Sequence, residues 1–158
     1  MLMPTTTILS SAWAETWLPA ASVIALLRLT VTEAYYDAAL AEDMGIVPFY
    51  GLANGFLTGK YRSKEDLDKS VRGLRNVEYL EGRGMRVLAA LDEIAAETGA
   101  PLAAIALAWT NAQPGITATL ASATRLAQLQ ELIGSMHLKL TDDQIARLDE
   151  ASAEAVPA

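Results

Sequence analysis

The chain has no cysteine, one histidine and few aromatic residues, and each shortage removes a class of function. Without cysteine it has no disulfide framework and no thiolate nucleophile. Because His137 is the only histidine, we do not expect a zinc site. Aromatic residues make up 6% of the 158 residues, and the abundance of alanine and leucine favours helix. The net charge of −7 argues against a nucleic-acid partner, because phosphates require a positive surface.

Long hydrophobic runs are also missing. The least polar early stretch, residues 16–27, contains Pro19 and is shorter than the roughly 20 residues that span a membrane. Residues 1–10 carry no positive charge, which a secretory signal would have. We therefore expect a cytoplasmic chain without a membrane role, and an apolar membrane anchor in residues 17–29 is the alternative.

The sequence changes character near residue 32. Residues 1–32 carry only two charges, Glu15 and Arg28, and show no sustained period of 3.6 or 2. From residue 33 onward, helical patterns alternate with two short apolar segments that read as strands. The predicted helices lie at 33–43 and 87–98 and from Pro101 to Trp109, whose helical spacing makes it a core residue. A further helix follows residues 121–124 and carries an apolar face that includes Leu129, and a last helix begins at a capping-box pattern of Thr141 with Gln144. The predicted strands lie at 46–50 and 116–120. The alternation predicts parallel strands with helical crossovers, and two strands are too few for a sheet, so we expect part of a larger α/β fold.

The first stretch that could carry chemistry is the glycine-punctuated loop at residues 51–61. Glycines at 51, 55 and 59 permit backbone approaches that side chains would block, and Lys60 adds a positive charge. The spacing does not match a P-loop, since three residues separate Gly55 from Gly59 and Tyr61 follows the lysine. Phosphate binding and a plain irregular connection therefore both remain open.

The second candidate is a cluster of positive charge. Half of the basic residues fall within residues 60–75, which suggests an anion site in an otherwise acidic chain. Acidic side chains at Glu65, Asp66 and Asp68 are interleaved with them. A solvated charged loop is the alternative.

The third candidate begins where the second predicted strand leads into a helix. Free backbone N–H groups at a helix N-terminus favour an anion. Ser122, Thr124 and Arg125 add side-chain donors, and Gln128 and Glu131 follow one and two turns later. Ordinary N-capping by Ser122 or Thr124 is the alternative.

Several separated motifs resemble one known family in the same order. Residues 52–61, Leu-Ala-Asn-Gly-Phe-Leu-Thr-Gly-Lys-Tyr, resemble the stretch PLASGFLTGKY of aldo/keto reductases. Residues 87–109 look like the next helical part of that family, and residues 116–152 look like its last strand and closing helices. The resemblance covers about residues 35–152, which leaves residues 1–32 unmatched and makes residues 33–158 the C-terminal part of a barrel.

The resemblance implies a fold, a cofactor and a set of binding residues. The fold would be a partial, helix-rich α/β structure, namely the last two strands of a TIM (β/α)8 barrel with their helices. The cofactor would be NADP(H), and the parent reaction would reduce a small carbonyl substrate to an alcohol. The implied cofactor-binding residues are Tyr50, Gly51, Leu52, Ala53, Asn54, Gly55, Lys60, Arg72, Ser122, Thr124, Gln128 and Glu131. All three candidate stretches fall within this set.

The chain departs from the family by substitution and by absence. Tyr50-Gly51 stands where the family usually has Ser-Pro, Ser122 where a glycine is common, and Leu132 where an asparagine is frequent. The family's catalytic Asp, Tyr, Lys and His belong to the first half of the barrel, and residues 1–32 contain no Tyr, Lys or His. We therefore expect a cofactor-binding portion of an oxidoreductase that is truncated and catalytically incompetent alone.

The alternative is a non-catalytic nucleotide-binding or oligomerisation module. Strands without neighbours leave unpaired edges, which would favour self-association. Part of a barrel would also expose apolar side chains such as Ile46 and Leu120 to water.

Overall fold

The computed structural model describes residues 33–153, and this part of the chain is mainly helical. Residues 1–32, which the resemblance leaves unmatched, lie outside the described residues. The α-helices of the described part are α1 (Glu33–Ala41), α2 (Arg83–Thr98), α3 (Leu102–Asn111), α4 (Leu126–Gly134) and α5 (Asp142–Ser152). Between α1 and α2 the chain forms three 3₁₀ segments, Ala53–Thr58, Lys64–Lys69 and Gly73–Tyr79. The segment Lys64–Lys69 lies within the charged stretch at residues 60–75, and the segment Gly73–Tyr79 begins within it.

Helices α2 and α5 form where local sequence signals predict them. The apolar positions of α2 recur at helical spacing and are fully buried, and Gly99 ends the helix in the left-handed conformation that glycine favours. Helix α5 begins with the predicted capping box. The backbone N–H of Gln144 donates to Thr141 Oγ1 at 3.2 Å, and the N–H of Thr141 donates to Gln144 Oε1 at 3.1 Å. Interactions between residues that are close in sequence therefore define the position of both helices.

The core forms where α2 packs against both α3 and α5. Residues 103–110 of α3 are all buried, so this helix is apolar on every side. Trp109, which we predicted to be core, is completely buried, and its indole N–H donates to Asp149 of α5 at 2.8 Å. Phe56, Leu57 and Tyr61 belong to the same buried cluster. The loop that holds the first candidate site is thus fastened to the helical core.

The two predicted strands reduce to a single parallel bridge between Ile46 and Ile116 within residues 33–153. The N–H of Ile46 donates to Gly115 O at 2.9 Å, and the N–H of Thr117 donates to Ile46 O at 2.8 Å. A third bond runs from the Leu120 N–H to Pro48 O at 2.8 Å. Proline has no N–H to donate, and a pair of parallel strands without neighbours is marginal, so the pairing stops after these bonds. The predicted direction and partners are right, whereas the predicted length of the strands is wrong.

Apolar side chains remain exposed on both sides of this pairing. Leu120 is 58% exposed, as expected, but Ile46 is buried, because α1 and residue 116 pack against it. Helix α4 has the predicted apolar face, yet none of its residues is buried, and Leu126, Leu129 and Ile133 remain open to solvent. The described part therefore has a closed helical core and an open apolar side.

Candidate functional site

The loop at residues 50–55 has an unusual backbone. Tyr50, Ala53 and Asn54 all have positive φ angles, of 65°, 47° and 56°, and Gly55 follows with 89°. Left-handed conformations cost a non-glycine residue on the order of 1–3 kcal/mol and concentrate at functional sites. Two turn hydrogen bonds hold the loop, from Ala53 N to Tyr50 O at 2.7 Å and from Gly55 N to Leu52 O at 2.8 Å. The loop therefore has a defined backbone conformation that its own hydrogen bonds stabilise.

Asn54 supplies an unsatisfied polar atom inside this loop. Its side-chain oxygen is buried and has no hydrogen-bond partner among the described residues. A buried acceptor without a donor costs about 1–3 kcal/mol, so such atoms are rare in proteins. A nicotinamide dinucleotide carries hydroxyl and carboxamide donors, and the residues of the loop fit such a group.

Lys60 lies against the loop, as the sequence suggested. A Cβ atom placed on Gly55 would come within 3.0 Å of Lys60 Cε and Nζ, so the ammonium group packs closely against this glycine. The ammonium also lies 4.8 Å from the centre of the Tyr61 ring, a cation–π geometry. Lys60 is exposed on its outer side, and no carboxylate among residues 33–153 pairs with it. Its charge is therefore available to an anion.

The charged stretch that follows is partly neutralised by its own acids. Arg62 makes a bidentate pair with Asp92 at 2.6 and 2.7 Å, and Lys69 pairs with Asp66 at 2.7 Å. Lys69 and the backbone N–H groups of Arg62 and Ser63 lower the pKa of Asp66 to about 2. These pairs therefore leave Arg62 and Lys69 less available to an outside anion than an unpaired cation would be. Arg72 is exposed and has no ion-pair partner within the described part of the chain.

The third stretch begins beside the first loop. The Leu120 N–H donates to Pro48 O, and a Cβ atom on Gly51 would collide with the Thr119 side chain. Thr119 Oγ1 in turn donates to Asn111 Oδ1 of α3 at 2.6 Å. The structure therefore brings residues 50–51 next to the segment that leads to Ser122. Sequence reasoning missed Thr119, whose only signal was a β-branched residue near the end of a predicted strand.

The start of α4 differs from the expected cap. Arg125 is the N-cap residue and makes no side-chain cap, so neither Ser122 nor Thr124 caps the helix. Instead the N–H and Oγ1 of Thr124 both donate to Gln128 Oε1, each at 3.1 Å. The predicted residues Ser122, Thr124, Gln128 and Glu131 are all exposed. Gln128 orders the turn before the helix and leaves its NH₂ group as the available donor.

Two further features were sought in the described residues. Within residues 33–153, no three His, Asp or Glu side chains lie close enough to hold a metal ion. No helix in the same range has the length and apolar character needed to cross a bilayer.

Comparison with known proteins identifies what the chain is similar to. The family model described as the aldo/keto reductase family matches residues 6–153. The chain is 34% identical over 95 residues to a probable voltage-gated potassium channel subunit beta of Arabidopsis thaliana, covering 57% of this chain and 29% of that protein. It is 30% identical over 126 residues to an L-glyceraldehyde 3-phosphate reductase of Escherichia coli O157:H7, covering 75% of this chain and 36% of the relative.

A third relative is an aldo-keto reductase of Schizosaccharomyces pombe, yakc, whose name specifies NADP(+). It is 25% identical over 121 residues, covering 75% of this chain and 36% of that protein. The chain thus spans about a third of the length of these relatives. The family match also begins at residue 6, ahead of the resemblance that starts near residue 35.

Proposed function

The chain belongs to the aldo/keto reductase family, and from this premise we propose that it is the NADP(H)-binding portion of a carbonyl reductase. The proposed binding residues are the twelve that the resemblance implied, in the loop at 50–55, at Lys60 and Arg72, and around the start of α4. The single observation that supports this most is the loop itself, with its left-handed backbone and with Lys60 against Gly55.

The chain's own residues would bind the cofactor and orient it. Lys60 and Arg72 offer positive charge to the phosphates, and Gln128 offers an amide donor beside Thr124. Asn54 offers its unpartnered oxygen to a hydroxyl or amide donor. When bound, NADPH supplies the hydride for carbonyl reduction. We assign no catalytic residue to this chain, and we propose that alone it does not reduce a small carbonyl substrate.

The finer structural expectations also belong to this proposal. Residues 33–158 would be the last two strand positions of a (β/α)8 barrel with their helices, and residues 1–32 would be the N-terminal segment that precedes them. The parallel bridge between Ile46 and Ile116 supports neighbouring strand positions. We place the chain in the cytoplasm, with neither membrane nor nucleic acid as a partner.

A second candidate function is an oligomerisation or non-catalytic nucleotide-binding module. The observation that favours it is the open apolar side of the pairing, where Val47 is 49% and Leu120 58% exposed. Backbone edges left without neighbours can pair with a second copy.

Cofactor titration of the full chain tests the leading proposal. We expect saturable quenching or enhancement of NADPH fluorescence, with NADH binding more weakly because it lacks the 2′-phosphate. Replacing Lys60 with glutamine removes one charge and should weaken NADPH binding about tenfold. Lys139→Gln is the matched control, because Lys139 is exposed and lies outside the proposed site. Absence of binding at millimolar NADPH would rule the proposal out.

A further inference from the structure

Tyr61 connects the two positive charges that the proposed site leaves free of ion pairs. Its side chain is completely buried. One face of the ring lies 4.8 Å from Lys60 Nζ, and the hydroxyl group is hydrogen-bonded to Ser70 Oγ at 2.6 Å. The same residue therefore contacts the Lys60 ammonium and the loop that carries Arg72.

Ser70 continues this connection to Arg72. The backbone N–H of Arg72 donates to Ser70 Oγ at 3.3 Å, and Arg72 O accepts from the amide of Asn76 at 3.1 Å. Asn76 is fully buried, so it fixes the backbone from the inner side. The position of the Arg72 backbone is thus tied to the Tyr61 hydroxyl through one serine.

The acids of the stretch do not neutralise Lys60 and Arg72. Asp92 pairs with Arg62 and Asp66 pairs with Lys69, whereas Lys60 and Arg72, like Lys64 and Arg75, have no ion-pair partner within the described residues. Lys60 and Arg72 differ from the other two because both are connected to Tyr61. Two long basic side chains on a loose loop would lose much conformational entropy on closing around one anion. The contacts through Tyr61 and Ser70 form a tether between the two backbones. This tether restricts both residues before the anion binds and so reduces the entropy loss.

We propose that Tyr61 is a positioning residue that sets Lys60 and Arg72 as a pair for the phosphate groups of the cofactor. This inference rests on the proposed function, because it assigns the organiser of the same site. Tyr61 touches no cofactor atom in this account. It acts through the cation–π contact with Lys60 and through the Tyr61–Ser70 hydrogen bond toward Arg72.

A double-mutant cycle in the full chain tests the tether. Tyr61→Phe keeps the ring under Lys60 and removes only the bond to Ser70, and Arg72→Gln removes the charge that the bond positions. We expect each single variant to weaken NADPH binding about five- to tenfold. The double variant should be no weaker than Arg72→Gln alone, because both changes remove the same contribution. Ser70→Ala should reproduce Tyr61→Phe.

The salt dependence of binding separates positioning from a merely structural role. If Tyr61 holds Arg72 in place, Tyr61→Phe flattens the dependence of NADPH affinity on salt as Arg72→Gln does, because one ionic contact is lost. Tyr36→Phe is the matched control, since it removes another tyrosine hydroxyl bond, which goes to Pro114 O and not to the stretch that carries these cations. That control should leave both the affinity and its salt dependence unchanged.

The possible outcomes separate this inference from the proposed function. If the wild-type chain binds NADPH but Tyr61→Phe and Ser70→Ala bind it equally well, the inference is overturned and the proposed function stands. Additive losses in the double variant, with an unchanged salt dependence, overturn the inference as well. If the wild-type chain binds no NADPH, the proposed function fails and the inference fails with it.

Discussion

At the scale of single residues, Asp149 shows how one side chain joins two helices. It accepts hydrogen bonds from the Trp109 indole at 2.8 Å and from the Gln113 amide at 3.4 Å, both contributed from the α3 side of the core. Burial raises the pKa of the Asp149 carboxyl group, and the two hydrogen bonds oppose that rise. The neutral acid is therefore favoured in the folded chain relative to the unfolded chain.

This shift predicts a pH dependence of stability at Asp149. A carboxyl group with a raised pKa binds its proton more tightly when folded, so its contribution to the unfolding free energy is greatest at low pH. That contribution falls as pH rises from the ordinary value of 3.8 through the raised pKa. Asp149→Asn keeps an acceptor for Trp109 but cannot ionise, so the decrease of the unfolding free energy with rising pH should disappear. Urea unfolding monitored by circular dichroism at several pH values measures this free energy for the wild-type chain and the variant.

A second variant at the same position provides the comparison. Asp149→Leu leaves the buried Trp109 N–H without an acceptor, which should cost about 1–3 kcal/mol of unfolding free energy. If Asp149→Asn retained the wild-type pH dependence, another group would be responsible for it. The sequence predicted the buried Trp109 from helical spacing, but not its partner 40 positions away, because no local pattern encodes a contact between distant helices.

At the scale of elements, local signals predicted helices better than strands. Helix α2 carries its own apolar period, and α5 begins with a capping box, so nearby residues alone specify both. The strands at 46–50 and 116–120 depend on neighbours to satisfy their backbone groups, and only a bridge forms in the described residues. The apolar face of α4 was predicted correctly. Its exposure to solvent was not predicted, because the spacing of apolar residues does not reveal what packs against the helix.

The exposed strand edges predict self-association. We expect light scattering to show a mass above that of one chain at micromolar concentration, because unpaired edges recruit further strands. Val47→Lys places a charge on this edge and should shift the chain toward a monomer. Leu129→Lys places the same charge on the exposed face of α4 and should not change the mass. A monomeric wild-type chain, or an effect confined to Leu129→Lys, would contradict association through the edges.

At the scale of the whole molecule, the helical core and the proposed site were predicted from different kinds of sequence signal. Helices α2, α3 and α5 bury a continuous apolar cluster within residues 33–153, which local sequence patterns largely predicted. The proposed site lies where the loop at 50–55 meets the segment before α4, and collinear family motifs pointed to it. The contacts of Tyr61, Ser70 and Thr119 could not be predicted from the sequence, since each joins residues that are apart in the chain.

The central claim is that the three separate stretches form one NADP(H) site on this chain. Amide nuclear magnetic resonance of the full chain during an NADPH titration tests it most directly. We expect the signals of Gly51, Gly55 and Thr124 to shift together and to saturate at one cofactor concentration, while that of Leu148 in the core does not move. Shifts confined to one stretch, or no shifts at millimolar NADPH, would contradict the claim.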